Sequence, residues 1–330
     1  MKDVAVVGLT YSGKSTIWGA VSRAHSSAPP GAAKANVAVV AVPDERLDRL
    51  TAMLQSRKVT AGQVRLVDVP GLNAQSLGDA RAADALAVVV RAFGSDADPA
   101  GDLEKFRSEL ALADLSTLEK STERVRKKLK TQAAEAKVEL ETYKRAEAVL
   151  SEDRWLSDES WDADAERALR LLTPLTLKPV LVVANVDETH DGTPDGLPQP
   201  AIAVRGLLEA EAGDLSSEDA AELMAEFGVT ESATTRFVHS LFELLDLITF
   251  FTGNEVEARA WEIPRGTKAP QAAGSVHSDF EKGFIRWEAV GFEDFMEFGS
   301  WDAARQKGRL RVEGRDYVVQ DGDVVRILHS

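Results

Sequence analysis

An eight-residue loop near the start of the chain, GLTYSGKS from Gly8 to Ser15, limits the possible folds more than any other segment. Its pattern, G-x-x-x-x-G-K-S, lets successive backbone N–H groups turn inward around phosphate oxygens. A β-branched run at residues 3–8 precedes the loop, and a helical pattern at residues 15–23 follows it. Because a helix N-terminus attracts anions, a strand, this loop and a helix in this order predict a nucleotide-binding P-loop.

Two kinds of contact are expected from this loop. Lys14 should reach the β- and γ-phosphates of a nucleotide, and the Ser15 hydroxyl should be a ligand of Mg²⁺. The expected nucleotide-binding residues of the loop are Tyr11, Ser12, Gly13, Lys14, Ser15 and Thr16.

The segment Asp68-Val69-Pro70-Gly71 ends a second apolar run. An aspartate at a strand end is often only a turn former. One that follows a P-loop by about fifty residues stands where P-loop proteins hold the Mg²⁺ shell. We therefore predict that Ser15 and Asp68 hold the metal. The predicted catalytic residues are Lys14, Asp68 and Gly71.

A third motif, Asn185-Val186-Asp187-Glu188, ends another apolar run at the position where GTPases read the base. The GTPase motif is Asn-Lys-x-Asp, whose final carboxylate accepts hydrogen bonds from two guanine N–H groups. Here Val186 replaces the lysine, and Glu188, one methylene longer, replaces the aspartate. Both changes weaken guanine readout, so we expect Asn185, Val186 and Glu188 to contact the base of ATP in preference to GTP. The alternative is a strand-to-loop turn without base contact.

The apolar runs alternate with helical patterns, which is typical of a doubly wound α/β sheet. The predicted strands are residues 3–8, Val64–Val69, Leu86–Phe93, Pro179–Ala184 and Ala201–Val204. Between Gly101 and Arg170 the pattern changes to apolar residues at steps of three and four with charges of both signs between them. That pattern predicts long helices paired as an antiparallel coiled coil, in which the apolar residues form the core.

These changes of pattern predict three domains. An α/β domain takes residues 1–95 and 178–246, a helical coiled coil is inserted at 96–177, and a small mixed α+β domain follows at 247–330.

Composition excludes several classes of protein. The chain has no cysteine, so disulfides, thiolate metal sites and a cysteine nucleophile are excluded, and its five histidines show no metal-ligand spacing. No apolar run approaches the ~18 residues that span a bilayer, and the Met1-Lys2-Asp3 start is unlike a signal peptide. We expect a soluble cytoplasmic protein without a membrane partner.

The net charge of −15 repels nucleic acid on average. No DNA partner is expected, and any RNA contact must be local. Two basic clusters, at 124–130 and 305–315, are the candidates for such a contact. A solvated surface is the simpler interpretation of each cluster.

With these motifs in place, the whole chain resembles the YchF / Obg-like ATPase family. The resemblance is carried most specifically by residues 269–274 (APQAAG), 277–286 (HSDFEKGFIR) and 317–324 (YVVQDGDV), which resemble the family's TGS domain, a β-grasp module. Further matches are residues 36–49, which include most of the VPDERLDRL segment at 42–50, the ELALADL segment at 109–115 and the Asn185–Glu188 motif. The resemblance implies a P-loop G domain with a coiled-coil insertion and a C-terminal TGS domain.

The resemblance also implies a function. Family members prefer ATP, associate with ribosomes and hydrolyse slowly, since a hydrophobic residue follows the D-x-x-G motif where Ras-like enzymes have a water-orienting glutamine. Leu72 occupies that position here. ATP, Mg²⁺ and ribosomal RNA, the last through the coiled coil and the TGS domain, are the expected ligands.

The sequence departs from the family pattern at three places. No threonine lies between Arg23 and Val37 to complete the Mg²⁺ shell, and the glycine-rich second switch is shortened to Asn73–Arg81. Arg205-Gly206-Leu207 stands where the family has a base-contacting Ser-Ala-Lys segment. The P-loop supplies most phosphate contacts, so nucleotide binding should survive, whereas hydrolysis also needs a positioned water.

Two hypotheses follow. The chain is either a slow ATPase that switches conformation on a ribosomal partner, or a hydrolysis-deficient nucleotide-binding module that acts through its coiled coil and TGS domain. A GTPase is a third alternative.

Overall fold

The computed structural model describes residues 1–23, 37–128, 133–190, 192–229 and 231–330. The strands are β1 Lys2–Gly8, β2 Val37–Ala41, β3 Lys58–Thr60, β4 Gln63–Asp68, β5 Ala85–Ala92, β6 Val180–Val186, β7 Ala201–Val204, β8 Leu247–Gly253, β9 Glu257–Pro264, β10 Phe284–Gly291, β11 Arg311–Glu313 and β12 Asp323–His329. The helices are α1 Lys14–Arg23, α2 Glu45–Leu54, α3 Ala74–Ala82, α4 Pro99–Lys128, α5 Ala133–Ser151, α6 Ala163–Arg170, α7 Gly206–Ala212, α8 Ser217–Glu226, α9 Ala233–Leu244, α10 Ala269–Val276, α11 Ser278–Lys282, α12 Phe292–Phe298 and α13 Trp301–Gln306. Short 3₁₀ turns lie at Leu156–Asp158 and Leu175–Leu177.

The chain divides into two compact units. One comprises Lys2–Ala38 and Arg65–Phe237, and the other comprises Met1, Val39–Val64 and Val238–Ser330.

The first unit is built on a six-stranded sheet with the order β2-β4-β1-β5-β6-β7. Strands β1, β5, β6 and β7 pair in parallel. The middle strands are almost wholly buried, which explains their near-continuous apolar sequences, since a parallel sheet is covered on both faces. The predicted strands lie within two residues of the observed ones. The three sequence motifs follow β1, β4 and β6, where an α/β sheet places its ligand-binding loops.

The helical insertion begins with α4 and α5, which form an antiparallel pair. The buried residues of α4 recur at steps of three and four, as the sequence pattern predicts. The first half of α4 packs on the sheet through Leu103, Phe106 and Leu110, which belong to the same core as β5 and β6. The second half packs against α5 and α6, with Leu118, Val125 and other apolar residues forming a separate core.

The second unit is built on a six-stranded sheet with the order β11-β10-β12-β8-β9-β3. Helices cover both faces of this sheet. On one face α2, α12 and α13 enclose a core that includes Leu50, Phe251 and Phe295. On the other face α10 presents three alanines to Trp287 and Phe250.

The segment that contains α2 and β3, between β2 and β4, packs in the second unit. The sequence division assigned it to the α/β domain, within residues 1–95. In the structure α2 packs Leu47 and Leu50 into the core of the second unit, and β3 pairs in parallel with β9. The spacing of apolar residues shows which face of a helix or strand is buried. It does not show on which sheet that face packs.

No helix in the described part of the chain has both the length and the apolar character that crossing a bilayer requires.

Candidate nucleotide-binding site

The glycines of the P-loop are required by close backbone approaches. A Cβ at Gly8 would lie 2.5 Å from the Val89 carbonyl oxygen. Gly13 has a φ of +78°, and a Cβ there would lie 2.0 Å from Asn185 Nδ2. Tyr11 also has a positive φ, of 68°, and its side chain is exposed. The loop therefore passes close to two neighbouring strands and turns sharply beside them.

Helix α1 starts directly at this loop. The Gly13 carbonyl oxygen accepts hydrogen bonds from Thr16 N at 2.9 Å and Ile17 N at 3.0 Å. The first N–H groups of a helix have no partner within the helix and carry a partial positive charge. Ser12 is 3 % exposed, and among the described residues its Oγ has no hydrogen-bond partner. A buried unpartnered hydroxyl and free helix N–H groups fit an anionic ligand in the loop.

Lys14 and Asp68 are in direct contact. The Lys14 Nζ donates to Asp68 Oδ1, and the two side chains are only 12 % and 20 % exposed. The structure thus brings together the ammonium and the carboxylate predicted from two motifs 54 residues apart. With the exposed Ser15 one residue further along α1, the donor set contains a hydroxyl and a carboxylate oxygen, which are the hard ligands that Mg²⁺ prefers.

Asn185 connects the P-loop to the loop that follows β7. It is 5 % exposed, its Nδ2 donates to the Ser12 carbonyl oxygen at 3.3 Å, and its Oδ1 accepts from Gly206 N at 3.2 Å. A Cβ at Gly206 would lie 2.6 Å from the same Oδ1. Asn185 therefore joins the P-loop to the start of α7. Gly13 and Gly206 lie close to its side-chain amide, one on each side.

Helix α7, which begins at Gly206, is held in turn by its own buried acid. The Glu209 carboxylate accepts from the backbone N–H of Ala233 at 2.7 Å, and burial raises the pKa of Glu209. Arg205, just before α7, donates to the carbonyl oxygens of His190 and Phe227. These contacts fix the segment that replaces the family's Ser-Ala-Lys.

A cavity of about 590 Å³ opens beside the P-loop. Its lining contains predicted site residues together with others that the sequence analysis did not select. The lining residues are Gly13, Thr16, Phe93, Asn185, Val186, Asp187, Glu188, Thr189 and Leu207. Predicted residues from the first and third motifs thus meet around one space of the size that small-molecule sites have.

Several lining residues were missed by the sequence analysis. Phe93 directly follows β5, and Leu207, whose side chain is 56 % exposed, lies at the start of α7. Both positions adjoin strand ends at the sheet edge that carries the motifs. Because ligands of α/β proteins bind at this edge, their place after predicted strands could have marked them as site residues. Asp187 accepts a hydrogen bond from Gly94 N at 3.1 Å, so its carboxylate is engaged with the loop after β5.

Val186 has a mainly structural environment. Its side chain is 4 % exposed and belongs to the sheet core, although the residue also borders the cavity. A lysine at this position would place an ammonium group in an apolar core, which explains why valine fits this sheet.

The segment after Asp68 leads away from the site through Gly71. Gly71 has a φ of +70°, and a Cβ there would meet no atom within 4 Å. Leu72 packs against the sheet core. Asn73 then caps α3, since its Oδ1 accepts from Gln75 N and Ser76 N at 3.0 Å each. The predicted second switch is thus largely a nine-residue helix.

The predicted first switch, with its missing threonine, lies between Arg23 and Val37, outside the described residues. Among the residues that are described, no three His, Cys, Asp or Glu side chains converge as a metal cluster.

The two basic clusters differ in their surroundings. Arg126 and Lys127 are exposed at the end of α4, whereas residues 129 and 130 lie outside the described ranges. In the second cluster, Arg311 donates to Tyr317 Oη at 2.6 Å and to the buried Asp323 at 2.5 Å. Arg311, whose side chain is 37 % exposed, is therefore paired with a buried acid, whereas the neighbouring Arg305, Lys307 and Arg309 are exposed.

Comparison with known proteins identifies the family. The ribosome-binding ATPase YchF of Escherichia coli O157:H7 is 36 % identical to this chain over 356 residues, which cover 98 % of each protein. The chain belongs to the YchF family. The ribosome-binding ATPase YchF of Bacillus subtilis strain 168 is 34 % identical to this chain over an alignment that covers 97 % of each protein.

A family model and a solved structure agree with this assignment. The family model named YchF-GTPase_C, a protein of unknown function (DUF933), matches residues 247–329. The solved structure of the Schizosaccharomyces pombe YchF GTPase superposes with a TM-score of 0.88 at 27 % identity, over 99 % of this chain and 97 % of that one. The predicted family and the predicted fold class are confirmed: an α/β P-loop unit of YchF type with a helical insertion and a C-terminal domain.

Proposed function

We propose that this YchF-family chain binds ATP with Mg²⁺, hydrolyses it slowly, and acts as a nucleotide-dependent switch on ribosomes in the cytoplasm. The observation that carries the proposal is the meeting of the P-loop, Asp68 and the 590 Å³ cavity at one edge of the sheet. Support for a ribosomal role comes from the two bacterial relatives, which are named ribosome-binding ATPases.

The triphosphate would lie in the P-loop. Lys14 and the first N–H groups of α1 supply positive charge, and Tyr11, Ser12, Ser15 and Thr16 flank the path of the backbone around the phosphates. Ser15 and Asp68 would hold Mg²⁺, which neutralises phosphate charge when bound. Asp68 already contacts Lys14, so the ammonium and the metal-binding carboxylate lie close enough to serve one phosphate chain.

The cavity favours adenine over guanine. A guanine site needs a correctly placed carboxylate that accepts two hydrogen bonds, and Glu188 stands at that position of the motif in place of aspartate. Glu188 borders the cavity on a longer side chain, and the apolar Phe93 and Leu207 supply surfaces against which either purine can pack. Hydrogen-bond selectivity for guanine is thereby weakened, while the apolar surfaces of Phe93 and Leu207 can still pack against the base.

Slow hydrolysis follows from the surroundings of Leu72. At the position where Ras-like enzymes orient water with an amide, this chain packs an aliphatic side chain against the sheet core. Catalysis would then depend on Lys14, Asp68 and the Gly71 backbone. These groups would act mainly by stabilising the charge that develops in the transition state, and less by activating the attacking water.

Calorimetric titration with ATP and with GTP, each with and without Mg²⁺, tests nucleotide binding and base selectivity. We expect ATP to bind more tightly than GTP and to require Mg²⁺. Equal or tighter binding of GTP would overturn the preference for ATP and favour a GTPase. The S. pombe relative is named a GTPase. Failure to bind either nucleotide would overturn the proposal as a whole.

Release of inorganic phosphate from ATP measures whether the protein hydrolyses the nucleotide. We expect slow release by the wild-type protein that Lys14→Ala abolishes. Release at the buffer background from protein that binds ATP would favour the second candidate, a hydrolysis-deficient binding module. The packed Leu72 and the lack of threonine between Arg23 and Val37 support that candidate.

The ribosomal contact is proposed for the exposed basic residues at the end of α4 and near α13. Reversing the charge of Arg126, Lys127, Arg305 and Lys307 should weaken co-sedimentation with ribosomes and reduce its salt dependence. Arg311 is left unchanged because it pairs with buried Asp323. Unaltered co-sedimentation of the reversed variant would rule out an electrostatic RNA contact at these residues.

A further inference from the structure

A buried ion pair links α3 to the root of the helical insertion. Arg81, at the end of α3, places Nη1 2.7 Å from Asp114 Oδ1 in α4. The Asp114 side chain is fully buried and the Arg81 side chain is 17 % exposed. Asp114 lies within the ELALADL segment that the sequence analysis singled out and that the nucleotide site does not use.

The same two residues also hold the segment where the chain returns from the insertion. Asp114 Oδ2 accepts from both the backbone N–H and the hydroxyl of Thr176, each at 2.8 Å. Arg81 donates to the Thr173 carbonyl oxygen at 3.1 Å and to the Thr117 hydroxyl at 3.2 Å. One guanidinium group therefore contacts both the middle of α4 and the segment by which the chain returns from the insertion.

The backbone at this point is strained. Thr173 has a φ of 45°, which is unusual for a β-branched residue and persists only where surrounding contacts enforce it. The Lys178 ammonium adds a further tie, donating to the carbonyl oxygen of Ala83, the C-cap of α3. These contacts concentrate at the end of α3 that is distant from Asp68 along the chain.

Helix α3 packs on the sheet core through Leu77 and Ala80, and the Ser76 hydroxyl donates to the Pro70 carbonyl oxygen. Gly78 in its middle lowers its intrinsic helix stability. At its start it follows Gly71, whose positive φ and open surroundings allow the backbone to turn. A nine-residue helix is about 13 Å long, so α3 spans from the neighbourhood of the P-loop site to the insertion.

The geometry points to Arg81 and Asp114 as positioning residues that make α3 and the helical insertion move together. A buried carboxylate cannot lose its cationic partner without a large desolvation penalty, so a displacement of α3 carries α4 with it. The inference deepens the proposed function and rests on it in one respect: the nucleotide is what would displace α3. In the reverse direction, a partner that shifts the insertion would reposition the segment beside Asp68.

Amide hydrogen exchange on the full chain tests this joint, with Arg81→Lys and Asp114→Asn as variants. Arg81→Lys keeps the charge but loses the planar fork of donors. Without nucleotide, each variant should raise exchange in α3 by roughly 100-fold, while α1 keeps its wild-type protection. In the double variant the second substitution should add little, because both remove the same interaction.

Arg107→Lys is the matched control. Arg107 also forms an ion pair at the base of the insertion, 2.9 Å from Asp158, and stacks on Trp155. It lies on α4 like Asp114 but forms no side-chain hydrogen bond or ion pair with α3 among the described residues. Exchange in α3 should remain at the wild-type rate in this variant. Equal loosening of α3 in Arg107→Lys would mean general destabilisation and would overturn the joint.

Addition of ATP and Mg²⁺ then tests the coupling. We expect nucleotide to change exchange at residues 110–117 and 173–177 in the wild type and in Arg107→Lys. The change should be lost in Arg81→Lys although that variant still binds ATP. A nucleotide response that survives in Arg81→Lys, or that is absent from a wild type that binds ATP, would overturn the coupling. If the wild type binds no nucleotide, the proposed function fails, and the joint is still judged by α3 exchange in the unliganded variants.

Discussion

At Gly13 the backbone has a φ of +78°, and a Cβ would lie 2.0 Å from the Asn185 amide. We expect Gly13→Ala to destabilise the protein by about 1–3 kcal/mol and to abolish ATP binding, because either the P-loop or Asn185 must move. Chemical denaturation and calorimetry measure the two effects.

Gly19 provides the control within the adjoining helix. It lies in α1, and a Cβ there would meet no atom within 4 Å. Gly19→Ala should therefore stabilise the protein by about 0.5–1 kcal/mol and leave ATP affinity unchanged. Wild-type affinity in Gly13→Ala would contradict the close approach at the P-loop.

Glu262 is a buried acid of the second unit. Burial raises its pKa to about 7 from the ordinary 4.5, and a Cβ at Gly62 would lie 1.2 Å from its Oε1. The folded state thus favours the protonated carboxyl. The contribution of Glu262 to the free energy of unfolding is therefore most favourable below pH 4.5 and is lost as the pH rises to about 7. Glu262→Gln should remove this decline and raise stability at pH 8 by up to about 3 kcal/mol.

Glu257, on the same strand, should behave in the opposite way. Hydrogen bonds from Thr60 and Lys58 lower the pKa of Glu257, so its contribution is present at neutral pH and is lost as the pH falls through the lowered pKa. Since the Lys58 partner is 66 % exposed and solvent screens the pair, Glu257→Gln should cost only about 0.5 kcal/mol at pH 7. Denaturation midpoints between pH 4 and pH 8 distinguish the two variants. A pH-independent difference between Glu262→Gln and the wild type would contradict the buried-acid assignment.

On the scale of the element, α2 shows how a local pattern acquires a tertiary role. Leu50 is fully buried in the core with Phe251 and Phe292, and Arg49 forms an ion pair with Glu293. Leu50→Ala should cost about 2–5 kcal/mol, since it removes transfer free energy and leaves a cavity. Asp48→Ala, on the exposed face of α2, should change stability by less than about 0.5 kcal/mol. Equal effects of the two substitutions on the denaturation midpoint would refute the packing of α2 on this sheet.

The helical insertion shows what periodicity reveals and what it omits. Steps of three and four correctly predicted the long paired helices. The same pattern treats Asp114 and Thr122 as breaks in an apolar stripe, yet both are buried. Their partners, Arg81 and Glu147, come from other helices, 33 and 25 positions away. Most buried polar groups have such partners, and partners distant in sequence leave no local signal.

On the scale of the whole molecule, the second unit is discontinuous in sequence. Residues 238–330 alone lack α2 and β3, so one sheet face would lose Leu47 and Leu50 and would expose its apolar core. We expect a fragment of residues 238–330 to lack a cooperative unfolding transition. A fragment that joins residues 39–64 to 238–330 through a flexible linker should unfold cooperatively, as followed by circular dichroism. Cooperative unfolding of the shorter fragment would contradict the discontinuous unit.

The candidate site could be predicted largely from sequence because its motifs depend on local physics. A P-loop needs glycines, a lysine and a hydroxyl at fixed spacing, and the structure brings Lys14 to Asp68 as those motifs require. Phe93, Leu207 and the engagement of Asp187 escaped prediction, since loops from three strands meet only after the sheet forms.

By itself the sequence determined the alternation of strands and helices, the position of the P-loop and the extent of the helical insertion. Each of these depends on residue spacing over a few turns or one strand. The tertiary structure decided which sheet α2 and β3 join, which arginine pairs with the buried Asp323, and how Arg81 ties α3 to the insertion. The physical reason is that burial and ion pairing are properties of groups brought together from distant parts of the chain, and residue spacing carries no record of which groups will meet.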